Sequence, residues 1–279
     1  MSDVSYCLQQ VRRHDRDRLL CALFAGAAQR DAIVALLAFN LEAARVRETV
    51  SEPLIGQMRL QWWRDALDGI FAGDPPAHQV AVPLSDAVCA HGLDREPFER
   101  LLDARRFDLE EEAPADLAQL EAYAEATSAG LTLLSLWILG VDGAAAREAG
   151  RRIGIAWALT GLMRALPYHV GLRKSFLPED LCAAAGMAPG GLFDHRHRGG
   201  YETVVEAVAE AAAGHLSAAR ARRAEVPRAA RPALLPGVLI DGYLADLRRA
   251  RFEALAMPPG RVGPGRQLGL WLLNMTGRY

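Results

Sequence analysis

Lysine is almost missing from this chain: Lys174 stands alone among 32 Lys and Arg residues. With the abundant alanine, that imbalance reads as a GC-rich genome rather than as function. No excess of one charge exists either. The formal net charge is −2 with 24% charged residues, which excludes a nucleic-acid binder working through overall basicity. It also excludes a highly charged disordered chain. The four cysteines, Cys7, Cys21, Cys89 and Cys182, form no Cys-x-x-Cys pair. Their spacing suggests neither a disulfide framework nor a zinc site, and scattered thiols fit a reducing compartment. The polar start, Met1 to Tyr6, has no apolar core of a signal peptide. The longest apolar run, Leu131 to Val141, is interrupted by Thr132, Ser135 and Gly140 and is too short to span a bilayer. A cytoplasmic protein is expected, at most peripheral at the inner membrane face. P-loop, dinucleotide and zinc-protease motifs are absent.

What is present is helical periodicity. From Asp31, the apolar positions Ile33, Leu36, Leu37 and Phe39 recur at three and four. Ser51-Glu52-Pro53 is a helix start, and Gly73-Asp74-Pro75-Pro76 is its stop. Shorter helices are expected over 86–90 and 95–106, and long ones over 117–139 and 144–165, the latter broken by Pro167. Residues 186–200 read as a loop, and 203–226, 236–256 and 267–275 as further helices. With no alternating strand and no repeat, the chain reads as all-α. One domain of roughly ten helices over 1–279 is compatible with a single core.

Most local clusters have plain readings. Asp194-His195-Arg196-His197 reads as a solvated loop rather than a metal clip. Arg220 to Arg223, with Glu225 close by, is a solvated face rather than a nucleic-acid patch. In Trp62-Trp63, one ring is expected in the core and the other half-buried. Leu131, Leu133, Leu134, Trp137 and Leu162 read as core.

Two segments are more specific. One runs Ala38-Phe39-Asn40-Leu41-Glu42-Ala43-Ala44-Arg45-Val46-Arg47-Glu48; the other runs from Gly154 to His169 and on through Lys174-Ser175-Phe176-Leu177-Pro178. Together they resemble the two signature regions of the squalene/phytoene synthase family. Gly154, Leu159, Thr160, Arg164, Lys174, Leu177 and Pro178 match its second signature. Phe176 stands in for a tyrosine, and Tyr123 matches a tyrosine the family uses. The resemblance implies the all-α isoprenoid synthase fold. It also implies magnesium-dependent joining of two prenyl diphosphates head to head.

The chemistry-bearing positions depart from that pattern. The paired aspartates of the first motif fall at Ala44 and Arg45, and its last at Glu48; those of the second fall at Ala165 and His169. The family's Gln and Asn fall at Ala158 and Gly161. Positions 161, 165 and 169 are spaced to line one helix face, now bearing a hydrogen, a methyl and an imidazole. Mg²⁺ wants oxygen ligands, and one carboxylate, Glu48, does not organise a cluster of them. No catalytic residue, metal or cofactor is therefore expected, with Mg²⁺ entering only if the chain is an active transferase.

Ala38-Phe39-Asn40, Ser51-Glu52, Ile55-Gly56, Met58-Arg59, Gln61-Trp62 and Arg164-Ala165-x-Pro167-Tyr168-His169 resemble a divergent branch of the family that includes a mitochondrial assembly factor for respiratory complex I. The resemblance implies complex I subunits or assembly intermediates as partners and a catalytically silent protein. The other readings are an active prenyl transferase and a prenyl-lipid binding module. Gly161 and Ala165 are expected to pack the old cavity shut, with Tyr168 and His169 a satisfied buried pair. Glu42 and Glu48 are either solvated or paired with Arg45 or Arg47. If a pocket remains, Tyr123, Arg164, Tyr168, His169 and Lys174 would line it. Arg164 and Lys174 would then hold an anion without metal.

Overall fold

In the computed structural model, residues 3–50, 52–194 and 198–257, with 270 and 279, are described. Every regular element among them is helical. The helices are α1 (Asp3–His14), α2 (Arg16–Ala22), α3 (Ala27–Ala44), α4 (Pro53–Ala72), α5 (Ala81–His91), α6 (Glu96–Arg105), α7 (Leu117–Ala124), α8 (Gly130–Ile138), α9 (Ala144–Arg164), α10 (Leu166–Gly171), α11 (Glu179–Ala184), α12 (Tyr201–Ala221), α13 (Arg231–Leu234) and α14 (Pro236–Arg249). The expected count of ten falls short because short pieces such as α10, α11 and α13 carry too few residues to show a period.

α3 and α9 organise the core. Residues 32 to 40 of α3 are all buried, the signature of a helix enclosed on every side. Its packing partners include α1, α5 and α8, while α9 packs against α12, α8, α14 and α7. Glycine sets how closely α9 approaches its neighbour: a Cβ at Gly154 would lie 2.3 Å from the Ala129 Cα. Leu117 to Ile138 is indeed one long helical stretch, but it contains a π turn over Glu125–Ala129. The Thr127 hydroxyl donates to the Tyr123 carbonyl at 2.7 Å, giving that carbonyl a partner within the widened turn.

The ends follow local chemistry. Pro53 sits in the first turn of α4, and Gly73 at φ +80° closes it, its N–H donating to the Ile70 carbonyl. Glu52, not Ser51, holds the N-cap position; Ser51 lies outside the described residues. α9 ends at Arg164 with a bend at Ala165, the break expected at Pro167, and Pro167 is the second residue of the short α10 that follows. α12 stops at Ala221 and α14 at Arg249, short of the expected 226 and 256. Of the expected 267–275 helix only Leu270 is described, helical and buried, and the His195/His197 reading falls outside the described residues. Trp63 is buried and Trp62 is 40% exposed, as expected for that pair.

Candidate functional site

Two adjoining lobes open between α3, the π turn and the α9–α10 junction. The first, about 280 Å³, lies against the 3-10 turn Arg47–Thr49 and includes Glu48, Tyr168 and Lys174 in its walls. The second, about 340 Å³, reaches Asn40, Trp157 and Gly161. Ala44, Arg105, Tyr123, Leu162, Ala165 and His169 line both. The expected packing-shut of this face is therefore corrected. Gly161 would present a Cβ to open space, with nothing within 4 Å, and small residues on both helices leave the volume unfilled.

The motif positions converge here. Ala44 ends α3, and Ala165 is the bend between α9 and α10, followed one turn later by His169, whose amide bonds the Ala165 carbonyl at 3.0 Å. The helical spacing of 161, 165 and 169 thus survives the bend. Arg45 caps α3 and donates from Nε to Glu48 at 2.9 Å, with a terminal nitrogen 3.3 Å from His14. The near-spacing pair expected for Glu48 is present. Glu48 also hydrogen-bonds the Tyr168 hydroxyl, and burial followed by this carboxylate pushes that phenol up to about 12.

Three further expectations are corrected. Arg164 turns away from the cavity. One residue short of Ala165, it points about 100° off the motif face, and its guanidinium lies 3.3 Å from the centre of the Tyr243 ring. That ring's hydroxyl bonds Asp17. Lys174 does reach the first lobe, but it is only 1% exposed. Its ammonium donates to the carbonyls of Phe107, Glu110 and Glu112 at 2.7, 3.0 and 2.8 Å. A lysine has three N–H donors, so none is left for a ligand. Burial lowers its pKa to about 8. Tyr168 and His169 are not a satisfied buried pair either. Tyr168 is 47% exposed, and the buried His169 Nδ1 has no hydrogen-bond partner. Burial, then the Lys174 charge, holds the imidazole at about 4, neutral at physiological pH. Of the residues read as core, Leu131 and Leu134 are buried, Leu162 lines both lobes, and Trp137 is at the surface donating to His91.

A polar network unseen in the sequence forms the wall between α6 and α7. Tyr123 donates to Asp108 at 2.6 Å, and Arg105 donates to Tyr123 at 2.7 Å, Asp108 at 3.1 Å and Asn40 at 3.2 Å. Burial drives the Tyr123 pKa well above its ordinary value. For Arg105, burial opposes the charge, but Tyr123 and Asp108 outweigh it and the pKa rises. Arg47, also on the first lobe, donates to the carbonyls of Asp108 and Leu172, both at 3.1 Å. Asn40 had a visible signal: it is the one polar residue in the buried run 32–40. Arg47, Arg105 and Asp108 had none. Among the described residues, no group of three or more His, Cys, Asp or Glu side chains could hold a metal ion.

The squalene/phytoene synthase pattern matches residues 11–266. Among similar proteins, NADH dehydrogenase (ubiquinone) complex I, assembly factor 6 of Rattus norvegicus is 37% identical over 274 residues, covering 98% of this chain and 82% of the relative. The Bos taurus protein of the same name is 34% identical with the same coverage. A solved dehydrosqualene synthase in complex with ligand superposes with a TM-score of 0.84 at 18% identity, over 98% of this chain and 95% of that one. With the helical architecture and the motif frame around one cavity, these similarities establish that the chain belongs to the squalene/phytoene synthase family.

Proposed function

We propose that this chain is a non-catalytic member of its family that assists the assembly or maturation of respiratory complex I. One observation carries the catalytic half of this reading. At Ala44, Ala165 and Gly161 the cavity wall carries no side-chain oxygen. The two carboxylates at the wall, Glu48 and Asp108, are each committed to an arginine. This donor set does not suit Mg²⁺, which takes near-octahedral oxygen ligation. A prenyl diphosphate cannot ionise unless its leaving charge is neutralised.

The partner half rests on the names of the relatives that cover most of the chain, and complex I subunits or assembly intermediates are the proposed partners. No helix among the described residues is long and apolar enough to cross a membrane, and we place the work on the cytoplasmic side, at the membrane face. Deleting the gene tests both halves. Loss of NADH-linked respiration with unchanged isoprenoid products is expected. Unchanged respiration with lost squalene or phytoene would overturn the reading. In vitro, the protein given farnesyl diphosphate and Mg²⁺ should form no head-to-head product.

A further inference from the structure

The four cations that line the cavity are already hydrogen-bonded within the protein, Arg18 donating from Nε to Asp15 at 2.6 Å. The Lys174 ammonium is saturated by backbone carbonyls, and Arg47 spans two more. The terminal nitrogens of Arg105 serve Asp108, Tyr123 and Asn40. Asp108 balances Arg105, Glu48 balances Arg45 and Asp15 balances Arg18. What remains unsatisfied is a pair of hydrogen-bonding atoms. The buried Arg105 Nε–H and the buried His169 Nδ1 have no hydrogen-bond partner, and both residues line both lobes. Buried polar atoms are normally paired, and a group supplying a partner there without adding charge avoids the cost of a buried uncompensated ion. Leu162, Trp157, Ala158 and the open space at Gly161 form an apolar stretch of the second lobe, beside the polar Asn40, Thr127 and Ser128. Each lobe approaches the size range of small-molecule sites.

We infer that the cavity binds a neutral lipid, an apolar chain ending in one uncharged hydroxyl or carbonyl oxygen, with its head at Arg105 and His169. The inference stands on the cavity and not on the respiratory role, and a binding measurement leaves that role untouched.

The test is calorimetric titration of the full chain with farnesol and with farnesyl diphosphate, each with and without Mg²⁺. Farnesol should bind stoichiometrically and at least about tenfold tighter than the diphosphate, which is a difference of about 1.4 kcal/mol, and Mg²⁺ should not matter. Gly161→Leu places a side chain into open space and should abolish binding while the helical circular dichroism is kept. His169→Phe keeps the ring and loses Nδ1, and should weaken farnesol by about three- to tenfold, the share of one hydrogen bond. Tighter or Mg²⁺-dependent binding of the diphosphate would overturn the inference. So would absence of farnesol binding to folded wild type, or affinities unmoved by both substitutions.

Discussion

Replacing Lys174 by methionine keeps a long unbranched side chain in the same buried slot and removes only the ammonium. Three charge-assisted hydrogen bonds, at roughly 1.5–3 kcal/mol each, set a ceiling near 5–9 kcal/mol. Two things reduce it. Glu110 and Glu112 are exposed residues, so their carbonyls regain water. The buried charge is itself penalised: a pKa lowered from 10.5 to about 8 corresponds to about 3 kcal/mol. The contact of the ammonium over the Phe107 ring, at 3.7 Å, is lost as well and adds roughly 1 kcal/mol. The net expectation is a loss of roughly 2–4 kcal/mol, or about 4–10 °C in thermal midpoint for a chain of this size. The pH dependence gives an independent check. Between pH 8 and 10.5 the unfolded lysine holds a proton that the folded one has released. Wild-type stability therefore rises with pH in that window, and the gap to Lys174→Met should widen by up to about 3 kcal/mol. Urea unfolding followed by circular dichroism at pH 7.5, 8.5 and 9.5 measures both. A neutral or stabilising Lys174→Met would refute the reasoning. So would a wild type stabilised by pyrophosphate through an effect that the variant loses, because the amine would then be available to a ligand.

Three further outcomes are expected. His169, held at about 4, makes the unfolded state the better proton binder between pH 4 and 6.5. Wild type should lose up to about 3 kcal/mol across that window on acidification, and His169→Phe should flatten the loss in pH-dependent urea unfolding. Gly154→Ala should cost at least about 2 kcal/mol in the same assay, since the new methyl meets the Ala129 backbone rather than a flexible side chain. Ala165→Asp faces open cavity and should cost less than about 1.5 kcal/mol. A loss of several kcal/mol there would mean that the position is sealed in packing.

The helices that organise the fold were legible because they are long. The spacing of Ile33, Leu36, Leu37 and Phe39 marked α3, and Gly73 with its prolines marked the end of α4. The short helices were not, since six residues of α10 or α11 hold less than two turns of any pattern. In the site, the positions of Ala44, Glu48, Ala165 and His169 were readable as a set because one turn of helix fixes which residues share a face. The fates of Arg164 and Lys174 were not. Whether a cation points at a ligand or at its own chain depends on carbonyls 62 to 67 residues away or on a ring 79 residues away, Tyr243. Nor could the partners of Tyr123 be read, since Arg105 and Asp108 come from an arginine-rich helix end that looks like any solvated one. Openness was the least legible property. Gly161 is as compatible with close packing as with empty space until the opposite wall is known.

The π turn at Glu125–Ala129 ties the site to chain length. A π turn accommodates one residue more than the α ladder requires, so Tyr123 upstream and Thr127 and Ser128 within it reach the same cavity. Loss of a single codon between 125 and 129 would let the ladder close as an ordinary helix and rotate α7 by about 100° against α8. Tyr123 would leave the wall, Asp108 and Arg105 would lose their common partner, and Gly154 would meet a different backbone. Amino-acid exchanges within the turn disturb one contact each, whereas a one-residue deletion dismantles the wall at once. The reading frame of this cavity is thus stored as a residue count, and related chains could drift far in composition while still being unable to shorten here.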